Sequence, residues 1–205
     1  MHALIVTPLA CGDDLKWVKN ADLVLCADGG YEAALKLGLK PDRLIGDMDS
    51  RRSDETVCCP VSRYPVMKDE TDTVLCIREG MAMGAHEFTV LGGLGGRLDH
   101  TYANIQTMAY GLAIGAKVKL TGQGSLAMLL QPGSYGLERR PGMKLSLFAY
   151  TPVVTGLTLE GMLYSLADAK LDSGFPLGVS NEISAEEGKI TFSDGNLLVF
   201  FVPED

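Results

Sequence analysis

The sequence is poor in the features that mark secreted, membrane-spanning or nucleic-acid-binding proteins. Its five cysteines are odd in number and form no C-x-x-C pair, which is typical of buried or incidental thiols in a reducing cytoplasm. No apolar run reaches the roughly 18 residues of a membrane span, and the first residues lack the basic segment of a signal peptide. Basic runs are absent too, and the net charge is −8. We therefore expect a cytoplasmic protein with neither a nucleic acid nor a membrane as partner.

The sequence does contain a change in the pattern of its apolar runs, which lies past the middle of the chain. Before that point, apolar runs such as "ALIVT" and "DLVLCADGG" alternate with helical patterns, which predicts a mostly parallel sheet with helices on its faces. After Gly122, short β-like runs are split by glycine, proline, asparagine and aspartate. We predict an α/β protein, with a mostly parallel α/β domain over residues 1–124 and a smaller all-β, sandwich-like domain over residues 125–205.

Carboxylates gather at the predicted ends of strands, where ligands bind in α/β sheets. Asp28 follows the run "LVLCA", and Asp47 and Asp49 follow "RLIG". The i, i+2 spacing of Asp47 and Asp49 places both side chains on one face of an extended chain. There they repel each other unless a cation lies between them, and Mg²⁺ suits such a pair. The alternative is a polar turn in which both carboxylates accept backbone N–H groups.

The segment "KDETD" places Lys68, Asp69 and Asp72 directly before a predicted helix. One interpretation is structural, with Asp69 as the N-cap and Asp72 as its partner in a variant of the capping box. The other is functional, because a capped helix N-terminus also attracts phosphate. The two interpretations are compatible, so the segment stays a candidate for phosphate and metal binding.

A glycine-rich loop, "GGLGGRLDH" at residues 92–100, joins a predicted strand to a predicted helix. Its glycines allow backbone amides to come close to a ligand, although it matches neither a P-loop nor a G-x-G-x-x-G fingerprint. Arg97 offers a planar fork to phosphate oxygens. The alternatives are a helix cap for Asp99 and a packed or surface side chain for His100. Several acids with few bases, all beside strand ends, indicate metal-neutralised polyphosphate chemistry.

Four sequence blocks together resemble the thiamine pyrophosphokinase (thiamine diphosphokinase) family. They occur in the family's order at residues 27–50, 68–73, 91–105 and 154–183. The resemblance implies an N-terminal α/β nucleotide-binding domain and a C-terminal β-sandwich for thiamine binding and dimerisation. It also implies transfer of the pyrophosphoryl group of ATP to thiamine, with Mg²⁺ required. The active form would be a homodimer with the thiamine site at the subunit interface.

The resemblance also implies a role for each matching residue. The expected metal ligands are Asp47, Asp49, Asp69 and Asp72. The expected ATP-binding residues are Asp28, Gly29, Gly30, Lys68, Arg97, Asp99 and His100. The expected catalytic residues are Asp49, Asp72 and Arg97, and either aspartate is a candidate to accept the proton of the thiamine hydroxyl. The residues expected on the thiamine side are Ser180 and Asn181.

One departure from the family concerns the thiamine ring. Some members carry a tryptophan after the "TGL" block, but the single tryptophan here is Trp17. We therefore expect stacking on the ring either to come from Tyr164 or Phe175 or to be weaker.

Two other functions stay open from the residues alone. One is a metal-dependent phosphohydrolase with an Asp-x-Asp nucleophile, although that pair usually lies on the first strand and here follows a later one. The other is a non-catalytic nucleotide sensor whose β domain binds a partner protein.

Overall fold

The structure is a computed structural model that describes residues 1–47, 57–65, 67 and 69–204. The chain divides into two compact units, Met1–Gly124 and Ser125–Asp205. Parallel strands and helices form the first unit and antiparallel strands form the second, so the fold is mixed α/β. No helix within the described ranges is long and apolar enough to cross a membrane.

A parallel sheet forms the centre of the first unit. Its strands are β1 His2–Val6, β2 Leu23–Ala27, β3 Arg43–Gly46, β4 Val61–Arg63, β5 Glu87–Leu91 and β6 Lys117–Gly122. They lie in the order β4-β3-β2-β1-β5-β6, and neighbouring strands run parallel. The chain first builds outward from β1 on one side and then adds β5 and β6 on the other. The strand order therefore reverses at β1.

Helices pack on both faces of this sheet, which explains the unbroken apolar runs. They are α1 Gly30–Lys36, α2 Asp72–Ala82 and α3 Leu98–Ala113, and a 3-10 helix, Gly12–Trp17, follows β1. Tyr31 of α1 lies in one core cluster with Val6 and Leu44. On the other face, α2 comes so close that a Cβ at Gly80 would lie 3.0 Å from Leu25 Cδ1. Continuous burial is typical of parallel strands covered on both sides.

Two antiparallel sheets form the second unit. The strands are β7 Ser125–Leu130, β8 Gly133–Glu138, β9 Met143–Ala149, β10 Val153–Glu160, β11 Leu166–Asp172, β12 Gly178–Asn181, β13 Glu187–Phe192 and β14 Leu197–Pro203. One sheet has the order β7-β14-β9-β12 and the other β11-β10-β13-β8. In β13, Gly188, Ile190 and Phe192 are buried while Lys189 is exposed. Such alternation is what an antiparallel strand with one covered face requires.

Candidate active site

The carboxyl ends of the parallel strands form the candidate site in the first unit. A reversal of strand order, as at β1, opens a crevice at this edge of an α/β sheet. Asp28 follows β2, Asp47 follows β3, and the glycine loop at residues 92–96 follows β5. The fold therefore brings residues that are far apart in the sequence to one edge of the sheet.

Asp28 is the most constrained residue at this edge. It exposes only 5% of its surface, and its φ of 45° lies in the left-handed region, which few residues other than glycine adopt. Its N–H donates to Ile45 O at 2.8 Å, which ties it to β3. Backbone strain of this kind collects at functional sites, so Asp28 is a candidate for ligand binding on structural grounds as well.

The position of Asp28 depends on Gly46, the last residue of β3. A Cβ at Gly46 would lie 2.9 Å from Asp28 Cβ and 3.2 Å from its Oδ1, so a larger residue would displace the carboxylate. Asp47 comes next in the chain and is half-buried. The Asp28 carboxylate and the backbone that carries Asp47 therefore lie side by side.

Helix α1 begins two residues after Asp28 and touches β1. Gly29 is its N-cap, and a Cβ at Gly30 would lie 1.9 Å from Val6 O. A residue with a side chain at position 30 would push the helix away from the strand. The "DGG" run thus combines an aspartate that tolerates positive φ with a glycine that permits close packing.

The glycine loop packs against the loop that follows β1. Thr7, the first residue beyond β1, donates from Oγ1 to Leu91 O at 2.9 Å. Gly92 has a φ of 70°, and a Cβ there would lie 2.4 Å from Ala10 N. The two loops therefore meet where the strand order reverses, and glycine is needed for that contact.

Side chains of α3 hold the rest of the glycine loop in shape. Asn104 Nδ2 donates to Gly93 O at 2.9 Å, and Thr101 Oγ1 donates to Gly95 O at 3.1 Å. Neither side chain was predicted from the sequence. A signal was present, because their spacing of three positions places them on one face of the helix that starts at the loop.

Arg97 and Asp99 form an ion pair where α3 begins. Arg97 Nε donates to Asp99 Oδ1 at 3.1 Å, and Arg97 Nη2 donates to Asp99 Oδ2 at 2.6 Å. The hydrogen bond from Arg97 lowers the pKa of Asp99 to about 2, and it raises the pKa of Arg97. Both side chains are largely exposed, so the pair adds little stability. The pair orients the guanidinium group without holding it rigidly.

Asp99 does not cap α3. The N-cap is Arg97, and Asp99 lies in the first turn, where its Oδ1 accepts from His100 N–H at 3.0 Å. The side chain of His100 is exposed. The structure therefore places Arg97, Asp99 and His100 together at the mouth of the glycine loop.

The prediction that Asp69 caps α2 is wrong. The N-cap is Thr71, whose Oγ1 accepts from Val74 N–H at 3.4 Å. Asp69 is exposed two residues earlier, and Asp72, the first residue of the helix, is half-buried. Asp69 is therefore not the N-cap of α2.

The structure covers only part of the predicted metal site. Asp49 and Lys68 lie outside the described residues. Among the described residues, no three histidine, cysteine, aspartate or glutamate side chains lie close enough together to hold an ion. Asp28 and Asp47 nevertheless bring carboxylates to adjacent strand ends. Carboxylate oxygens are ligands that Mg²⁺ prefers, and water and phosphate oxygens fill its other positions, so these residues fit the ion chemically.

A polar cluster, which the sequence did not predict, connects α2 to β3 and β4 at one side of the parallel sheet. Glu79 accepts from Arg43 Nη1 at 2.8 Å, from Ser62 Oγ at 2.9 Å and from Tyr64 Oη at 2.9 Å. Burial alone would raise the pKa of Glu79, but these donors, Arg43 foremost, outweigh burial and lower it. The hydrogen bond to Glu79 raises the pKa of Tyr64. Because Tyr64 N–H also donates to Gly46 O at 3.0 Å, the cluster links α2 to the end of β3.

In the second unit, Ser180 and Asn181 lie at the end of β12. Ser180 has a φ of 58°, its N–H donates to Ser146 Oγ at 3.1 Å, and its side chain is exposed. Asn181 exposes only 4% of its surface. Its Oδ1 accepts from Tyr164 N–H at 3.0 Å and from Glu182 N–H at 2.8 Å, and its Nδ2 donates to Tyr164 O at 2.8 Å.

A cavity of about 340 Å³ lies beside Asn181. Its wall is mainly apolar, with one aromatic residue, and consists of Leu159, Tyr164, Leu166, Leu177, Gly178, Val179 and Asn181. Phe175, the other candidate for ring stacking, borders a separate cavity of about 210 Å³. An apolar cavity with a few polar groups is the usual setting for a small organic ligand, and Tyr164 is the aromatic candidate beside Asn181.

Two family models match the chain. The model described as "Thiamin pyrophosphokinase, catalytic domain" matches residues 15–120. The model described as "Thiamin pyrophosphokinase, vitamin B1 binding domain" matches residues 135–197. Each match falls within one of the two compact units.

Individual proteins are similar over most of the chain. Thiamine pyrophosphokinase of Bacillus subtilis (strain 168) is 28% identical over 178 residues, which cover 84% of this chain and 83% of that protein. Thiamine pyrophosphokinase 2 of Oryza sativa subsp. japonica is 29% identical over 211 residues, covering 87% and 77%. The crystal structure of the Bacillus subtilis thiamine pyrophosphokinase has a TM-score of 0.88 at 24% identity and covers 100% of both chains. The fold is therefore shared along the whole length.

Proposed function

We propose that this chain, which belongs to the thiamine pyrophosphokinase family, transfers the pyrophosphoryl group of ATP to the hydroxyl of thiamine, giving thiamine diphosphate and AMP. One observation carries most of the proposal. A buried aspartate in a left-handed conformation, Asp28, lies beside a glycine loop where the strand order of a parallel sheet reverses. That is the place where such sheets bind nucleotides.

In this proposal the first unit binds ATP. Arg97, oriented by Asp99 at the glycine loop, binds phosphate oxygens through its planar fork. Gly29 and Gly30 let the backbone approach the nucleotide beside Asp28. Lys68 and His100 also contact the phosphates. Phosphoryl-type transfer depends mainly on positioning and on charge stabilisation, and groups of this kind supply both.

Mg²⁺ is the cofactor that we propose, held by Asp47, Asp49, Asp69 and Asp72. When bound, it neutralises charge on the polyphosphate, which an acidic chain with a net charge of −8 otherwise repels. Asp72, in the first turn of α2, or Asp49 then accepts the proton of the thiamine hydroxyl. Arg97 stabilises the charge that develops on the transferred group.

The second unit is proposed as a sandwich-like domain for thiamine binding and dimerisation. Large apolar side chains on the segments around its cavity expose between 46% and 66% of their surfaces, namely Leu163, Tyr164, Phe175, Leu177 and Val179. Exposed apolar surface of this kind is typical of interaction sites, and the partner we propose is a second copy of the chain. Tyr164 supplies the aromatic face for thiamine in place of the tryptophan.

We propose the cytoplasm as the location of this reaction. None of the five cysteines forms a disulfide, which suits a reducing compartment. The Cys26 thiol in particular is buried, and burial raises its pKa to about 12, so it packs as an inert side chain.

Incubation with ATP, Mg²⁺ and thiamine, followed by chromatography, tests the proposal. We expect thiamine diphosphate and AMP in equal amounts. A trapped covalent phosphoaspartate would instead favour the phosphohydrolase, and ATP binding without AMP release would favour the nucleotide sensor. Membership of the family supports transfer over both. Light scattering on the purified protein tests dimerisation, with the mass of two chains expected.

A further inference from the structure

We infer that Asn181 is a positioning residue that holds Tyr164 at the cavity of the second unit, and that it does not itself contact thiamine. The inference rests on the proposed function, because that function assigns this cavity to thiamine. It gives Asn181 a different role from the substrate contact that the family resemblance implies.

The hydrogen-bonding capacity of the Asn181 amide is used inside the protein. Its Oδ1 accepts from Tyr164 N–H and Glu182 N–H. Its Nδ2 donates to Tyr164 O and lies 3.9 Å from Met162 Sδ. These contacts match the donor and acceptor positions of an asparagine amide one for one. With only 4% of its surface exposed, Asn181 is committed to its neighbours rather than to the cavity.

The bonds converge on one residue of the turn between β10 and β11. The N–H and the C=O of Tyr164 both pair with the same amide, as they would with a neighbouring strand. The residue before it is fastened to the same segment, since Leu163 N–H donates to Glu182 O at 2.8 Å. The backbone of this turn is therefore held by the segment that ends β12.

The side chain of Tyr164 has less support of its own. It borders the cavity and is 64% exposed, so its direction is set mainly by the backbone that carries it. A ring that must be ordered on binding reduces affinity, whereas a ring held in place in advance does not. The Asn181 amide thus favours ligand binding through Tyr164. Its loss should weaken thiamine binding and leave ATP binding in the first unit unchanged.

Steady-state kinetics of Asn181→Ala and Asn181→Asp test this inference. Aspartate still accepts from the two backbone N–H groups but cannot donate to Tyr164 O. We expect the KM for thiamine to rise about tenfold with alanine, and at least as much with aspartate, whose second oxygen would face Tyr164 O in place of a donor. The KM for ATP and the kcat at saturating thiamine should change less than about twofold. Asn196→Ala, an asparagine change outside this turn, is the matched control.

A double-mutant cycle separates positioning from direct contact. If Asn181 acts through Tyr164, then adding Asn181→Asp to Tyr164→Ala should leave the KM for thiamine where Tyr164→Ala puts it. Two effects that multiply would overturn the inference, and so would an unchanged KM in Asn181→Asp. Thermal melts establish that each variant is folded, and the aspartate variant serves if alanine prevents folding. If the unsubstituted protein forms no thiamine diphosphate, the proposed function fails instead.

Discussion

The cluster around Glu79 allows a stability prediction to be worked out in detail. Glutamine at position 79 keeps the side-chain shape but replaces one acceptor oxygen with an NH₂ group, which then faces a donor. The carboxylate is only 14% exposed, and a lost hydrogen bond to a buried charged group costs about 1.5–3 kcal/mol. Arg43 is 34% exposed, so water compensates part of its loss. We expect Glu79→Gln to lower the free energy of unfolding of the first unit by about 2 kcal/mol.

The loss of stability in Glu79→Gln should depend on pH, and the direction of this dependence follows from the pKa of Glu79. The pKa of Glu79 in the folded protein is below its ordinary value, so the carboxylate contributes stability above that ordinary pKa. This contribution is lost as the pH falls through the pKa of the folded state. The difference between the unsubstituted protein and Glu79→Gln should therefore be largest near neutral pH and should shrink below about pH 4.

Urea unfolding followed by the fluorescence of Trp17 measures this difference. Trp17 is the single tryptophan, and its Nε1 donates to Gly124 O at 3.3 Å, so its emission reports on the first unit. Glu87→Gln makes the same chemical change at an exposed position and should cost less than about 0.5 kcal/mol. The reasoning would be refuted if Glu79→Gln matched the unsubstituted protein at neutral pH, or if its deficit grew on acidification.

Three further predictions concern residues that follow the carboxyl ends of the parallel strands and residues at the start of α2. Gly30→Ala places a Cβ 1.9 Å from a β1 carbonyl oxygen, so we expect about 2 kcal/mol of destabilisation and weaker ATP binding by calorimetry; an unchanged melting temperature would contradict the close contact. Thr71→Ala removes the cap of α2 and should cost about 1 kcal/mol in urea unfolding, whereas Asp69→Ala should cost clearly less; equal costs would argue that both residues cap the helix. Asp47→Asn and Asp72→Asn should each keep the circular dichroism spectrum and lower turnover by more than about tenfold; near-normal AMP production from either variant would remove that residue from the site.

The features that could be predicted from the sequence are those with a local cause. A parallel strand covered on both faces needs an unbroken apolar run, and such runs are visible before Asp28 and Asp47. The glycines after β5 also have a local cause. Gly92 adopts a positive φ and lies close to the loop that follows β1, and both require glycine. The ends of the strands could be predicted from this local information. The position of the candidate residues at the carboxyl ends of the strands followed from it.

The features that could not be predicted join segments distant in the sequence. Glu79 bonds to Arg43 and Tyr64, which precede it by 36 and 15 positions, and no spacing rule relates these residues. The prediction of the N-cap of α2 was wrong for a related reason. Burial of Leu75 and Ile77 in the core sets where the helix begins, and the residue directly before that point, Thr71, takes the cap whatever lies upstream. The bonds of the Asn181 amide to Tyr164, in the turn after β10, likewise join segments 17 positions apart.

The charged groups of the candidate site are fixed in two different ways, and the difference bears on how a polyphosphate enters. Asp28 is held by burial, by its bond to Ile45 and by the space that only Gly46 leaves, so its carboxylate cannot follow a ligand. Arg97 is paired with Asp99 in an exposed ion pair, and such pairs are worth little in water. A polyphosphate carries more negative charge than one carboxylate and can therefore redirect the guanidinium group at small cost. In the proposed reaction we therefore expect Asp28 to determine where the nucleotide lies, and Arg97 to adjust to the phosphate as the pyrophosphoryl group is transferred.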